Sequence, residues 1–448
     1  SAFAAGFAGL RSASLHAADL SPEPAGVGYG ALRSDPEGVL DLPPGFSYRV
    51  ISRAGERMQD GLFVPDKPDG MATFATRDGL TILMRNHECL PAEGGGFGEA
   101  GVLAQKLDRR LIYDRHNYAP ACGGVSTVVY DTQRQQVVRQ FLRLAGTIRN
   151  CAGGPTPWGS WITCEETIER VGDTSGGFTC QRDHGYCFEA PATTTPGLAA
   201  PVPRFRHEAV AVLPGSSIVY LTEDMDDGCL YRFLPNKPGR LAAGGRLQAL
   251  AIVGQASRDT RNWDVGDPIA PCDSFDVRWI ALDHPESPDA ALRYRAFAAG
   301  AARFARGEGV WNCGDYVAFA CTSGGSERIG QVWRYTPSGA EGQAGEADEP
   351  GRLELFIEPN DSRLVENADN LTAAPWGDLI VAEDRSGDEV RLVGVTPAGE
   401  CYPLAQNHKQ TEFAGVVFSP DGSTLFVNLQ HAGMTVAITG PWRVAAIG

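Results

Sequence analysis

Cys151, Glu165 and Glu166 flank one tight turn, Asn150-Cys-Ala-Gly-Gly-Pro-Thr-Pro-Trp-Gly-Ser-Trp-Ile-Thr-Cys-Glu-Glu-Thr167, and a thiol beside two carboxylates is a donor set for a metal ion. Gly153 and Gly154 permit close backbone approach, and Pro155 and Pro157 fix φ. The following Trp158-Gly-Ser-Trp-Ile-Thr163 reads as a strand that delivers both glutamates to one end. Other carboxylates stand at predicted strand ends or adjoining turns: Glu88, Glu208, Glu223, Asp224, Asp369, Glu383, Asp384 and Glu412. Singly, each is an ordinary solvated charge. Converging on one channel, they would repel and raise one another's pKa values, so the arrangement requires neutralising cations. Oxygen donors suit Ca²⁺ and Fe³⁺, and a single thiolate among them points to iron rather than magnesium. The eight histidines are scattered singly, which gives a histidine-rich zinc centre no support.

Arg306-Gly-Glu308 puts a cation two residues from a carboxylate. It reads either as a surface ion pair or, inside a metal cavity, as a guanidinium that forks onto phosphate oxygens while Glu308 holds it or binds metal. His87-Glu88 and His207-Glu208 suggest imidazoles that orient the neighbouring glutamate. Glu223-Asp-Met-Asp-Asp-Gly228 reads alternatively as an isolated calcium loop, although it lacks the downstream Glu of an EF-hand.

The elements that must position these groups are short apolar runs ending in an acidic or polar cluster: Thr81 to Glu88, Ser217 to Asp224, Tyr316 to Thr322, Asp378 to Asp384 and Ser423 to His431. Length, β-branched content and Gly/Asp punctuation make each a buried strand, and partner strands such as Cys229-Leu-Tyr-Arg-Phe233 and Gln331-Val-Trp-Arg-Tyr335 make antiparallel meanders. Strands sharing one polar end imply one shared site. An all-β propeller satisfies this, since closure lets a long chain remain one domain, whereas a pair of β-sandwiches would scatter the acidic ends. Segments 100–111 and 288–306 are Ala/Arg/Leu-rich and read as helical insertions, and 255–275 and 339–350 as surface loops. The expected organisation is an N-terminal extension over 1–38 and a single propeller over 39–448.

The chain has 448 residues and a net charge of −16, which argues against nucleic-acid or anionic-membrane partners and for bound cations. No stretch approaches 18 uninterrupted apolar residues, so no membrane span is expected. The small-residue apolar opening from Ser1 to Leu10 resembles the end of a secretory signal, and 11 cysteines fit an oxidising compartment. Cys180 with Cys187, and Cys313 with Cys321, are candidate local bridges. Gly96-Phe-Gly-Glu-Ala-Gly101 matches a dinucleotide fingerprint literally but follows a loop, and no Gly-x-Ser-x-Gly elbow, phosphate loop or His-Glu-x-x-His is present.

The colinear order of these residues resembles the PhoX-type alkaline phosphatases from about residue 40 to 435. The matching blocks are Arg85-Asn-His-Glu88, Gly123-Gly-Val-Ser126, Cys151-Ala-Gly-Gly with Cys164-Glu-Glu166, Phe205-Arg-His-Glu208, Glu223-Asp224, Arg306-x-Glu308, Asp369-Asn370, Gly377 to Asp384 and Glu412 to His431. The resemblance implies a β-propeller, six-bladed, that hydrolyses phosphate esters, chiefly monoesters. Iron (Fe³⁺) and calcium (Ca²⁺) would lie at the channel mouth, with a metal-bound oxygen rather than a side chain as nucleophile. Cys151 would ligate iron, the strand-end acids and Asn370 would complete the metal set, and Arg306 and Glu308 would lie beside the phosphate as catalytic groups. It further implies twin-arginine export to the periplasm or medium, a monomer, and small-molecule phosphate esters as partners. The loop Arg306-Gly-Glu308 departs from the family's Arg-Pro-Glu. A non-catalytic calcium-binding propeller and a calcium-dependent lactonase-like hydrolase are the competing readings, and neither has a use for Cys151.

Overall fold

Antiparallel meanders succeed one another through the computed structural model, which describes residues 27–193, 203–263, 266–286 and 289–443. Pro68–Ala75, Thr81–His87, Gly123–Asp131 and Gln136–Thr147 form a four-stranded sheet, and Asn150–Pro155, Ser160–Glu165 and Cys187–Pro191 a three-stranded one. His207–Val212, Val219–Glu223, Tyr231–Pro235 and Gly245–Ile252 follow, joined edgewise through Ser274–Ala281 to Gly307–Asn312, Val317–Cys321, Gln331–Thr336 and Arg352–Ile357. Ala368–Ala373, Leu379–Glu383, Val390–Val395 and Cys401–Asn407 take Leu40–Asp41 as an outer strand. Phe413–Phe418, Thr424–Leu429 and Met434–Thr439 are completed by the N-terminal Ser47–Arg53, with Tyr48 opposite Ile438. Closing the last sheet with a strand from the start of the chain removes a free edge.

The first strands of these meanders pack in the order 68–75, 150–155, 207–212, 307–312, 368–373 and 413–418, and the last returns to the first. The molecule is therefore the all-β propeller that the acid-tipped strands require. Contact between inner strands is tight. A Cβ at Gly154 would lie 2.0 Å from the Val210 carbonyl oxygen, so the glycine is what lets neighbouring sheets meet there. Between the sheets lie apolar layers, among them Tyr220, Trp333, Phe319 and Tyr335 in one and Leu392, Phe413, Leu425 and Val436 in another. The alternating buried faces of the strands supply both.

Several expectations change. Segment 100–111 is 3₁₀ rather than α-helical (Glu99–Lys106 and Arg109–Leu111), because positive φ at Ala100 and Gly101 breaks it. Among the described residues of the second insertion, which exclude 288, the helix is only Leu292–Ala298, ended by Gly300 at φ 106°. As expected of a loop, Gly96 and Phe97 lie in a turn and Glu99 to Gly101 only open the 3₁₀ segment, with no strand leading directly into it. All eleven cysteines are free, and Cys187 faces Cys164 across a strand pair rather than Cys180. The signal-like start lies outside the described residues. Among these residues no helix is long and apolar enough to cross a membrane.

Candidate metal centre

One backbone device recurs around the ring. Asp69, Cys151, Glu208, Glu308 and Asp369 are each the second residue of an inner strand. At each of them the pairing with the second strand skips one residue, between Pro68 and Met71, Asn150 and Gly153, His207 and Val210, Gly307 and Val310, and Ala368 and Leu371. A bulge of this kind re-aims a side chain, here toward the channel. Two residues earlier, Lys67, Arg149, Arg306 and Asn367 have φ of 45°, 49°, 52° and 54°. Their carbonyls accept the N–H of Glu88, Glu166, Thr322 and Asp384, the residues that follow the second strands. Each bend thus docks a second-strand side chain beside a first-strand one. Four non-glycine residues in the left-handed region, all at one end of the ring, are local strain held in place for the site.

The acidic pairs divide by the two-residue period of a strand. Glu166, Asp224 and Asp384 join the central cluster, while Glu165, Glu223 and Glu383 turn into the sheets. Glu165 is fully buried, accepting from the N–H groups of Ile148 (2.9 Å) and Gly185 (2.8 Å) and from His184 Nδ1 (2.7 Å). Glu223 accepts from the Tyr231 hydroxyl at 2.8 Å and faces Arg293 at 3.6 Å. Glu383 accepts from Arg391 Nη2 at 2.6 Å and from two backbone N–H groups at 2.9 Å. These three are spoken for by structure. Asn370 is engaged as well: its Oδ1 accepts from the Gly415 N–H at 2.7 Å and its Nδ2 donates to Asp369 at 3.2 Å.

What remains is a compact donor set. Cys151, Glu166 and Glu208 present ligand atoms within 4.8 Å of one another, as do Glu208, Glu308 and Asp369, so Glu208 belongs to both groups. The Cys151 thiol donates to Glu208 Oε1 at 2.9 Å and lies 3.8 Å from Asp69 Oδ2. Asp69 is fully buried; Gln430 Nε2 donates to its Oδ2 at 2.6 Å, while its Oδ1 has no partner. Gln430 also donates to Glu88 at 2.9 Å. Three guanidiniums flank the acids. Arg149 bridges Glu88 (2.7 Å) and Glu166 (2.5 Å), Arg206 holds the other Glu166 oxygen (2.9 Å), and Arg306 reaches Asp224 (2.7 Å), Glu308 (2.8 Å) and Asp384 (3.5 Å). Glu412 faces Asp384, whose carboxyl helps to raise it.

Protonation follows from this crowding. Burial, opposed by Arg149 but reinforced by Asp224 and Glu88, pushes Glu166 up to about 8. Burial and then Asp384 push Asp369 to about 8. Asp69, Glu208, Glu308 and Glu412 are raised well above the carboxylate range, first by burial and then by neighbouring carboxylates, Glu88, Asp369, Asp224 and Asp384 respectively, and the Cys151 thiol is raised in the same way. Asp224 is the exception. Burial raises it, but the Arg306 guanidinium wins and holds it low. Without cations the pocket keeps protons that ions would displace.

The histidines take other jobs. His87 meets the Asp66 carbonyl (2.9 Å) and Ser126 (2.7 Å), and His207 meets the Pro203 carbonyl (2.6 Å) and stacks on Phe205, so neither orients the adjacent glutamate. His184 lies between Glu165 (2.7 Å) and Asp114 (3.1 Å); burial opposes its charge, but the two carboxylates raise it to about 12. Sequence reading missed Asp69, Arg149, Arg206 and Gln430. Lys67-Pro-Asp-Gly70 carries the chemistry of a turn, which hid Asp69. The signal that would have found it is its phase, since it precedes a small residue and an apolar run just as Glu208 and Glu308 do.

Comparison with known proteins gives the family and the fold. A family model described as alkaline phosphatase PhoX matches residues 27–433. The solved structure of Pseudomonas fluorescens PhoX in complex with vanadate, a transition state analogue, is 19% identical and superposes with a TM-score of 0.66, covering 90% of this chain and 96% of that one. A gluconolactonase from Xanthomonas campestris is 10% identical with a TM-score of 0.38, covering 89% of this chain and 98% of that one. Among curated protein sequences none matches.

Proposed function

The chain belongs to the PhoX family of alkaline phosphatases and is a metal-dependent phosphoester hydrolase; from that premise we propose that it cleaves phosphate monoesters at an iron and calcium centre built on Glu208. The observation that carries this reading is that Glu208 joins two triads, one with the Cys151 thiol and one all oxygen. A single sulfur donor among carboxylates suits iron, and the surrounding oxygen-only positions suit calcium. The unpartnered Asp69 Oδ1 and the mutually raised carboxyls are the condition that bound cations would relieve. In this reading Cys151, Glu166, Glu208, Glu308, Asp369 and Asp69 hold the inner ions, and Glu88, Asp224, Asp384 and Glu412 complete the outer positions.

Bound ions supply Lewis acidity that neutralises phosphate oxygens and acidifies water. The protein's own contribution is orientation and charge. Arg306, about one-third exposed, is held by Asp224 and Glu308 with part of its guanidinium at the channel mouth, where it steadies the charge of the phosphoryl oxygens. Its left-handed φ of 52° fixes the direction from which it enters. Gly307 tolerates this bend, so the departure from Arg-Pro-Glu retains the pair. No side-chain nucleophile is needed.

We read the meanders as six blades of one domain over 39–448, and the protein as a monomer exported by the twin-arginine route; exported members are typical of the family. The test is metal analysis of the purified protein together with hydrolysis of phosphate mono- and diesters before and after chelation. Iron and calcium should be present, and monoester turnover should be lost on chelation. Cys151→Ala should lose iron and any associated colour while keeping the fold by circular dichroism. Calcium alone, or unchanged iron in that variant, overturns the ligand assignment.

A further inference from the structure

We propose that the cavity beside Arg149 and Arg206 receives the alcohol portion of the ester and selects alcohols carrying an aromatic ring, an inference that rests on the phosphatase reading of the centre. Arg149 and Arg206 each donate to Glu166, at 2.5 and 2.9 Å, and both also line a cavity of about 550 Å³. They therefore join the metal cluster to that space. Beyond them the wall sets carbon from Leu90, Ile168, Phe205, Met225 and Leu292 among charged groups of both signs, Glu169, Asp173 and Glu223 with Arg204 and Arg293. Met225 ties the two regions together. Its sulfur lies 3.8 Å from Arg206 Nη1, and its carbonyl accepts from the Arg306 N–H at 2.9 Å, so the cavity begins next to the residue assigned to the phosphate.

A phosphate ester placed at the cluster has two directions in which to extend. On the far side of the ring a cavity of about 510 Å³ is lined by Glu366, Asp384 and Glu412 against the single guanidinium of Arg385, a net negative wall that would repel an ester's oxygens and suits cations, whereas on the Arg149 side guanidiniums outnumber carboxylates. The Arg149 side offers guanidiniums followed by carbon. Guanidinium planes favour aromatic faces, and a carbon wall gains from burying a ring but not a polyol. The volume is that of a small-molecule site and exceeds what a three-carbon alcohol fills.

The test uses esters with alcohols of similar leaving ability, benzyl phosphate against ethyl phosphate, on the metal-loaded protein. A preference in kcat/KM of about ten- to a hundredfold for the benzyl ester is expected, the size of burying one ring. By calorimetry, benzylphosphonate should bind tighter than methylphosphonate by a similar factor. Leu90→Asn and Ile168→Asn, made separately, should cut both preferences about fivefold or more and leave ethyl phosphate turnover unchanged. Equal turnover of both esters, or preferences untouched in both variants, overturns the inference while leaving the phosphatase intact. Loss of turnover toward both esters by the metal-loaded wild type sinks the underlying reading instead.

Discussion

Removing the metals should invert the pH dependence of stability, and the size of the effect follows from the buried acids. In the folded metal-free chain Glu166 and Asp369 titrate at about 8, against 4.5 and 3.8 for the free groups. A carboxyl raised by folding keeps its proton where the unfolded chain has lost it, so the folded state binds more protons between those limits. Stability present at low pH is then lost as pH rises toward 8. His207, lowered to about 4 by burial, acts in the opposite sense, but only below about 6.5, where an unfolded histidine is charged. His184, raised to about 12, loses stability in the same direction as the acids above 6.5. From pH 6.5 to 8 each retained proton therefore costs about 2 kcal/mol. With an unfolding entropy of about 0.9 kcal/mol/K for 448 residues, this is about 2 °C in Tm per proton, so Glu166, Asp369 and His184 alone set a lower bound of about 6 °C, to which the other raised carboxyls add. Metal-loaded protein should show a flat or rising Tm over the same range, since ions bind the deprotonated ligands. Differential scanning calorimetry of chelated and loaded samples measures both slopes. A chelated protein that holds or gains Tm between pH 6.5 and 8 would refute proton retention by the buried acids.

Glu165→Gln should destabilise by about 3 kcal/mol or more, because it strips a buried counter-charge from His184, yet leave metal content unchanged. Glu166→Gln should do the reverse, lowering metal content with a smaller change in Tm, and equal metal loss in both variants would refute the division of the pair. Gly415→Ala should cost about 3 kcal/mol or more on thermal unfolding. Its Cβ would lie 2.1 Å from the Asp69 carbonyl oxygen at a φ of +63°, and a neutral substitution would contradict that contact. Arg306→Lys should reduce kcat/KM for monoesters about a hundredfold with metals retained, because one ammonium cannot span Asp224, Glu308 and the substrate. Wild-type activity in that variant would remove Arg306 from the phosphate.

The architecture was legible because buried strands announce themselves by composition, and because their acidic tips share one end only in a closed ring. The tips themselves were half legible. Glu165-Glu166, Glu223-Asp224 and Glu383-Asp384 look alike in sequence, and the strand's alternation decides which member reaches the centre. That decision was not readable, since a bulge on the paired strand shifts which residue marks the strand's end. Helix content was overread from 100 to 111, where Gly98 and Gly101 outweigh alanine and leucine. The guanidiniums at Arg149 and Arg206 were hidden for a different reason. Nothing local distinguishes a cation that neutralises a distant carboxylate from one that meets solvent.

The sixth meander explains why the cluster is lopsided. At the position where five inner strands carry Asp69, Cys151, Glu208, Glu308 and Asp369, the strand Phe413–Phe418 carries Gly415, and its pairing skips between Ala414 and Val417 just as the others do. The bulge has been kept without the ligand. In its place this sheet offers donors: the Gly415 N–H to Asn370, Asn428 Nδ2 to the Asp69 carbonyl (2.5 Å), and Gln430 Nε2 to Asp69 and Glu88. Its own anion, Glu412, enters from three residues earlier. Negative charge is thereby carried mainly by the first five sheets, around Glu208, and the sixth stabilises Asp69 as an acceptor instead of competing for ions. If that is its role, Gln430→Glu should weaken Asp69 by repulsion and either recruit an additional cation or lose one. An unchanged ion count by metal analysis would show that the sixth sheet closes the ring without shaping the centre.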